Sequence, residues 1–142
     1  MVDDSRSVIP IESDADVVTA RQRAREMATE LELTSTDQTL LATAISEVAR
    51  NITTYAGRGE VLLSVIDGTD GRSGIQVIAR DQGPGIENLD LAMRDGYTTG
   101  GGLGLGLPGA RRLVDDFSIE TAPGQGTTVT LLMWARPNAR AA

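Results

Sequence analysis

The sequence predicts an α/β (α+β) two-layer sandwich, a mixed and mostly antiparallel sheet with helices packed on one face. Three observations carry that expectation. Two early stretches repeat apolar side chains at helical spacing, and later runs rich in Val, Ile and Leu are divided by turns rich in Gly, Pro and Asp. Nothing in the 142 residues reads as an interdomain linker or an internal repeat. With 40% hydrophobic residues the chain is long enough to bury a core without disulfides. A single domain over residues 1–142 is therefore expected, with 137–142 as a frayed tail.

Residues 7–12 read as a short strand. Ser13 then offers an N-cap, with Asp14 and Asp16 placed where carboxylates meet the positive end of a helix dipole. The helix is expected to reach about residue 33. Val17, Ala20, Ala24, Met27, Ala28 and Leu31 form its apolar stripe, and Arg21, Arg23 and Arg25 fall largely outside it, as a solvated face or a docking patch. Thr34, Ser35, Thr36 and Asp37 cap a second helix that runs to about Tyr55, with Leu41, Ile45, Val48, Ile52 and Tyr55 as its buried stripe. Gly57 and Gly59 end it.

Strands are expected over 60–67 and 74–80, joined through two Asp-Gly pairs that favour a hairpin. The turn at 81–85 breaks the second of them, and a short helix over 88–94 leads into residues 100–109, where six of ten positions are glycine. Residues 110–116 read as helix. Residues 117–121 and 127–135 read as strands on either side of a turn at 122–126.

Composition removes several classes of chemistry. A formal net charge of −7 argues against nucleic acid or an anionic membrane as the main partner, since either demands a basic face. There is no cysteine and no histidine, so thiolate and imidazole metal sites, His general bases and a phosphohistidine are excluded. All thirteen basic residues are arginine, which removes the phosphate-binding lysine of a P-loop. No apolar run approaches the ~18 residues of a membrane span, and the N-terminus lacks the order of a signal peptide. A cytoplasmic location is expected.

Three clusters remain as carriers of chemistry. Glu47 and Asn51 are four residues apart and share one helix face beside Val48 and Ile52. They form either an ordinary polar pair or a proton acceptor with a hard oxygen ligand for Mg²⁺. Asp81, followed by Gln82-Gly83-Pro84-Gly85-Ile86, is either a β-turn acid or an acceptor for an exocyclic amine such as that of adenine, with glycines that let a flat ring approach. The glycine run suggests a loop closing on a phosphate, with the helix start at Pro108 and Gly109 presenting free N–H groups to an anion. Its G-x-G-x-x-G spacing does not make a dinucleotide fold, because no hydrophobic strand precedes it.

In this order and spacing the clusters resemble the GHKL superfamily of ATPases and kinases with the Bergerat nucleotide-binding fold. Glu47 to Asn51 match its N box, Asp81 to Ile86 its G1 box, residues 101–106 its G2 box and lid, and Gly124-Gln125-Gly126-Thr127 its closing motif. The small size and missing phosphoacceptor histidine point to the anti-sigma-factor serine/threonine kinases. The wording Glu47-Val48-Ala49-Arg50-Asn51-Ile52, Tyr55-Ala56-Gly57, Asp95-Gly96-Tyr97-Thr98-Thr99 and 102–109 is similar to the RsbT-type switch kinases of the stressosome.

The resemblance implies ATP and Mg²⁺ as cofactors. It implies Glu47 as general base, Asn51 as Mg²⁺ ligand and Asp81 as the partner of the adenine amine, supported by Thr127 or Thr128. Gly83, Gly85 and Ile86 would form the turn beside the ring. Gly101, Gly102, Leu103, Gly104, Leu105 and Gly106 would form a lid over the phosphates. Thr98 and Thr99 either bond phosphate or cap the lid. Arg94 and Arg111 flank the lid as candidates for a γ-phosphate contact, and Arg50 either faces a docking protein or pairs with a surface acid. The implied partners are a STAS-domain substrate and a PP2C-type phosphatase. An anti-sigma factor and a nucleotide-binding regulator without kinase activity are the alternatives.

Overall fold

A computed structural model describes residues 6–93 and 106–136. The elements run β1 (Arg6–Ile11), α1 (Asp14–Glu30), α2 (Ser35–Tyr55), β2 (Gly59–Asp67), β3 (Ser73–Asp81), α3 (Leu89–Ala92), α4 (Gly106–Leu113), β4 (Asp116–Thr121) and β5 (Thr127–Trp134). The five strands form one sheet in the order β1-β2-β3-β5-β4, and every pairing in it is antiparallel.

Alternation decides which face is covered. Ile9 and Ile11 of β1, Val61 and Leu63 of β2, Ile75, Val77 and Ala79 of β3, and Val129, Leu131 and Met133 of β5 all bury toward the helices. The core closes on them with Val17, Ala20, Ala24 and Met27 of α1, Leu41, Ile45, Val48 and Ile52 of α2, and Leu107 and Ala110 of α4. The expected stripes of the two long helices are thus the buried ones, except that Leu31 is half-buried at the C-cap of α1 and Tyr55 is exposed. Tyr55 is 46% exposed, because it occupies the last helical position before the chain turns away at Gly57.

The first helix ends earlier than its apolar spacing suggests. Glu32 takes a left-handed φ of 58°, its N–H bonds the Thr29 carbonyl at 3.0 Å, and the Leu33 N–H bonds the Ala28 carbonyl at 3.0 Å. This pair of bonds closes a helix C-terminus, with glutamate where glycine is usual. Thr34 caps α2 by accepting the Asp37 N–H at 3.1 Å. The arginines of α1 are not one solvated face. Arg23 donates to the Ser7 hydroxyl at 2.8 Å, Arg21 reaches Ser46 of α2 at 3.5 Å, and of the three only Arg25 is exposed.

The helix after the glycine run starts at Gly106, four residues before the expected 110, and ends at Leu113. Pro108 suits a first helical turn, and Leu107 and Ala110 gain burial against α2 by the earlier start. Asp116, expected in that helix, pairs with Leu132 as the first residue of β4. At the far end of the sheet Arg136 bridges Asp37 of α2 at 3.1 Å and Asp115 at 2.9 Å. The hydrogen bond to Asp37 and then the charge of Asp115 raise the pKa of its guanidinium. Among the described residues no helix is long and apolar enough to cross a membrane.

Candidate functional site

The site begins on α2, whose buried Val48 and Ile52 press it onto the sheet and so fix the face beside them. Glu47 and Asn51 occupy that neighbouring face, one turn apart. The Glu47 side chain is only 10% exposed. Its Oε2 accepts the backbone N–H of Gly106 at 3.0 Å, which ties the first residue of α4 to the middle of α2. Gly106 has a φ of 66°, a conformation that glycine adopts without penalty. The negative carboxylate therefore sits where the exposed N–H groups and the dipole of α4 favour it. Asn51 is half-buried and makes no side-chain hydrogen bond among the described residues.

Arg50 resolves one of the open alternatives. It pairs with an acid, and the acid is Glu47 itself, with Nη1 3.3 Å from Oε1. The i,i+3 spacing of these residues carried that signal in the sequence.

The second cluster lies at the end of β3. Asp81 lies in register with Gly59 of β2 and Thr127 of β5, and its Oδ1 accepts the Gly83 N–H at 2.8 Å. The turn that follows is packed against protein on both sides. A Cβ on Gly83 would fall 2.6 Å from the Ala56 Cβ, at the C-terminus of α2, and one on Gly85 would fall 2.0 Å from the Ala122 carbonyl oxygen. A Cβ on Gly126 would meet the Asp81 carbonyl oxygen at 2.2 Å. In this structure the small size of these glycines brings the 81–86 turn onto α2 and onto the β4–β5 turn, a role that the ring-approach argument did not anticipate.

Gly85 also has a φ of 74°. Gly85→Ala is therefore expected to destabilise the fold by about 2–4 kcal/mol, from left-handed strain plus overpacking against backbone. Thermal unfolding should show a midpoint lower by roughly 6–15 °C.

A hydroxyl the sequence analysis did not single out holds this corner together. Thr121, the last residue of β4, donates to the Gly126 carbonyl at 3.0 Å, accepts the Ile86 N–H at 2.9 Å and bonds the Thr127 hydroxyl at 3.0 Å. Only the tertiary contact of the β4–β5 turn with the 81–86 turn reveals it, because Thr121 is 35 residues from Ile86. Thr127 is 6% exposed and faces the helices, whereas Thr128 pairs with Arg80 and Glu120 on the opposite face of the sheet. Of the two threonines, Thr127 shares the side of Asp81.

Arg94, Thr98, Thr99, Gly101, Gly102, Leu103, Gly104 and Leu105 lie outside the described residues. Arg111 is exposed in the last turn of α4, five residues from Gly106, and has no partner among the described residues. Among the described residues no three carboxylates come together as a metal site, so a cation here would need ligands from elsewhere, such as phosphate oxygens.

Residues 36–137 match the family model described as histidine kinase-, DNA gyrase B- and HSP90-like ATPase. The chain is 44% identical to the serine/threonine-protein kinase RsbT of Bacillus subtilis over 131 residues, covering 92% of this chain and 98% of that protein. It is 31% identical to an anti-sigma F factor of Bacillus licheniformis, covering 79% of this chain and 80% of that one. Among solved structures, the RsbU and RsbW domains of Rv1364c from Mycobacterium tuberculosis superpose with a TM-score of 0.58 at 23% identity. That match covers 92% of this chain and 33% of the other, and it speaks for the fold alone.

Proposed function

This chain belongs to the histidine kinase-, DNA gyrase B- and HSP90-like ATPase family, and we propose that it passes the γ-phosphate of ATP to a serine or threonine of a STAS-domain protein. It is a serine/threonine protein kinase of a partner-switching pathway, in keeping with its identity to RsbT over nearly the whole of both chains. The proposal adds the acceptor, the roles of the residues and a cytoplasmic location.

The observation that carries the catalytic reading is the position of Glu47. Its carboxylate is nearly buried, is held at the start of α4, and stands one turn from an Asn51 carboxamide with no side-chain partner among the described residues. In the proposed reaction the acceptor Oγ attacks the γ-phosphorus of ATP. The bond from that phosphorus to the bridging oxygen breaks, its electron pair leaves with ADP, and the hydroxyl proton passes to Glu47. Asp81, with Thr127 beside it, accepts the adenine amine, and residues 101–106 cover the phosphates.

Asn51 fits as the single protein ligand of Mg²⁺, a cation that takes few protein oxygens and completes its shell with water and phosphate. When bound, Mg²⁺ supplies charge neutralisation on the transferring group. The chain's own part is to position the reactants and to take the proton. After transfer, we propose, the kinase engages a PP2C-type phosphatase as the second step of the switch.

The test is transfer of label from γ-labelled ATP to a purified STAS-domain protein. Phosphoserine or phosphothreonine should form, stop on addition of EDTA and resume with excess Mg²⁺. An unlabelled STAS protein beside a kinase that binds ATP would remove the acceptor assignment, and label transfer unaffected by EDTA would remove the metal. The anti-sigma F relatives support a second reading, in which the chain holds a sigma factor. Stoichiometric capture of a sigma factor in the presence of ATP would favour it.

A further inference from the structure

We propose that Arg50 is a positioning residue for the phosphoryl transfer, holding Glu47 Oε1 as the oxygen that receives the acceptor's proton. The inference rests on the reading of Glu47 as base and assigns its two oxygens different work.

The geometry separates them. Oε2 accepts the Gly106 N–H at 3.0 Å and faces the start of α4. Among the described residues Oε1 has only the Arg50 Nη1, at 3.3 Å, and Arg50 lies on the solvent side, with 51% of its side chain exposed against 10% for Glu47. A protein acceptor must arrive from solvent, so Oε1 is the oxygen it can reach. A base oxygen helps only when it stands at hydrogen-bond distance from the hydroxyl, and small misplacements are costly.

Glu47 is otherwise a side chain with three free torsions that is restrained through one oxygen. The second bond, from a neighbour on the same helix, stops the carboxylate from turning about the first. Both residues stand on α2, whose stripe is buried against the sheet, so the pair is anchored to a rigid element. The contact at 3.3 Å engages one guanidinium nitrogen, and the remaining N–H groups of Arg50 have no partner among the described residues. Arg50 can therefore keep Oε1 in place while Oε1 turns a lone pair to the incoming hydroxyl.

The pairing makes the two side chains one functional unit, and a double-mutant cycle reads that directly. The assay is transfer of label from ATP to a purified STAS-domain protein by the full chain, with kcat and KM for each substrate. Arg50→Ala is expected to lower kcat about 10- to 100-fold, with KM for ATP and the thermal midpoint unchanged. Arg50→Lys, which keeps a cation but lacks the rigid fork, should recover part of the loss. In a Glu47→Ala background, Arg50→Ala should cost nothing further.

A raised KM for the protein substrate at unchanged kcat would overturn the proposal in favour of a docking role. An equal further loss in the Glu47→Ala background would overturn it as well, since Arg50 would then act independently of the carboxylate. If Glu47→Ala alone leaves kcat intact, the base assignment fails first, and that outcome is distinct from a failure of Arg50.

Discussion

Glu47→Gln is expected to slow phosphoryl transfer by roughly 10²–10⁴-fold, the usual range for loss of a positioned general base, while ATP binds with unchanged affinity. Glutamine is the right probe because it has the shape of glutamate and keeps an oxygen that can accept the Gly106 N–H, 3.0 Å away in the native structure. The start of α4 is thus retained and the basicity is lost. A separation of this kind requires that the carboxylate touch the acceptor's proton and have no essential contact with nucleotide. Single-turnover transfer with saturating ATP, together with a titration of ATP binding by calorimetry, measures both halves. Unchanged transfer by Glu47→Gln would show that phosphoryl transfer here proceeds without a carboxylate base, on positioning and charge alone.

Asp81→Asn is expected to weaken ATP binding by about 10- to 100-fold, since a hydrogen bond to a charged group is worth about 1.5–3 kcal/mol. The carboxylate only accepts, which matches an adenine amine. An amide at the same place can donate instead, which matches the carbonyl of guanine. The substitution should therefore narrow the preference for ATP over GTP as well as lower affinity. The fold should tolerate it, because an asparagine oxygen can still accept the Gly83 N–H that Oδ1 holds at 2.8 Å. Competition of ATP and GTP for the two proteins decides the matter, and an undiminished preference for ATP in Asp81→Asn would end the adenine assignment.

The anchoring of these two carboxylates explains why one is expected to act in chemistry and the other in recognition. Glu47 sits mid-helix, next to a side chain exposed to solvent on one side and the N-terminus of α4 on the other. Asp81 sits at the end of a central strand, between β2 and β5, with its carboxylate folded onto the turn it begins. Gly85→Ala tests the latter arrangement indirectly, since the Ala122 carbonyl leaves no room for a methyl group.

Much of this was legible in the linear chain because it depends on local periodicity. Helical spacing on α1 and α2, the Val-, Ile- and Leu-rich runs of β2 and β3, and the Asp-Gly hairpin each report structure within a few residues of themselves, and the strand and long-helix bounds agree to within about three residues. The i to i+4 placement of Glu47 and Asn51 follows from the same geometry. So does the i to i+3 contact of Glu47 with Arg50, one of the two alternatives open for that arginine, although the acid it would pair with was not named.

Contacts across long separations had no such signal. The Gly106 N–H reaches Glu47 across 59 residues, Ile86 reaches Thr121 across 35, and Arg136 reaches Asp37 across 99. The early start of α4 belongs with these, because it is set by what Leu107 and Ala110 bury against α2 and by the carboxylate waiting at Gly106. Local propensity could only locate a helix somewhere after the glycines. By itself, then, the sequence determined the elements, most of the stripe that each long helix buries and the residues with suitable chemistry, since each of these is fixed by neighbours one or two turns away. Which glycine serves packing, which threonine shares the side of Asp81 and which oxygen of Glu47 accepts the Gly106 N–H were decided by tertiary structure alone, because each depends on where a distant backbone comes to rest.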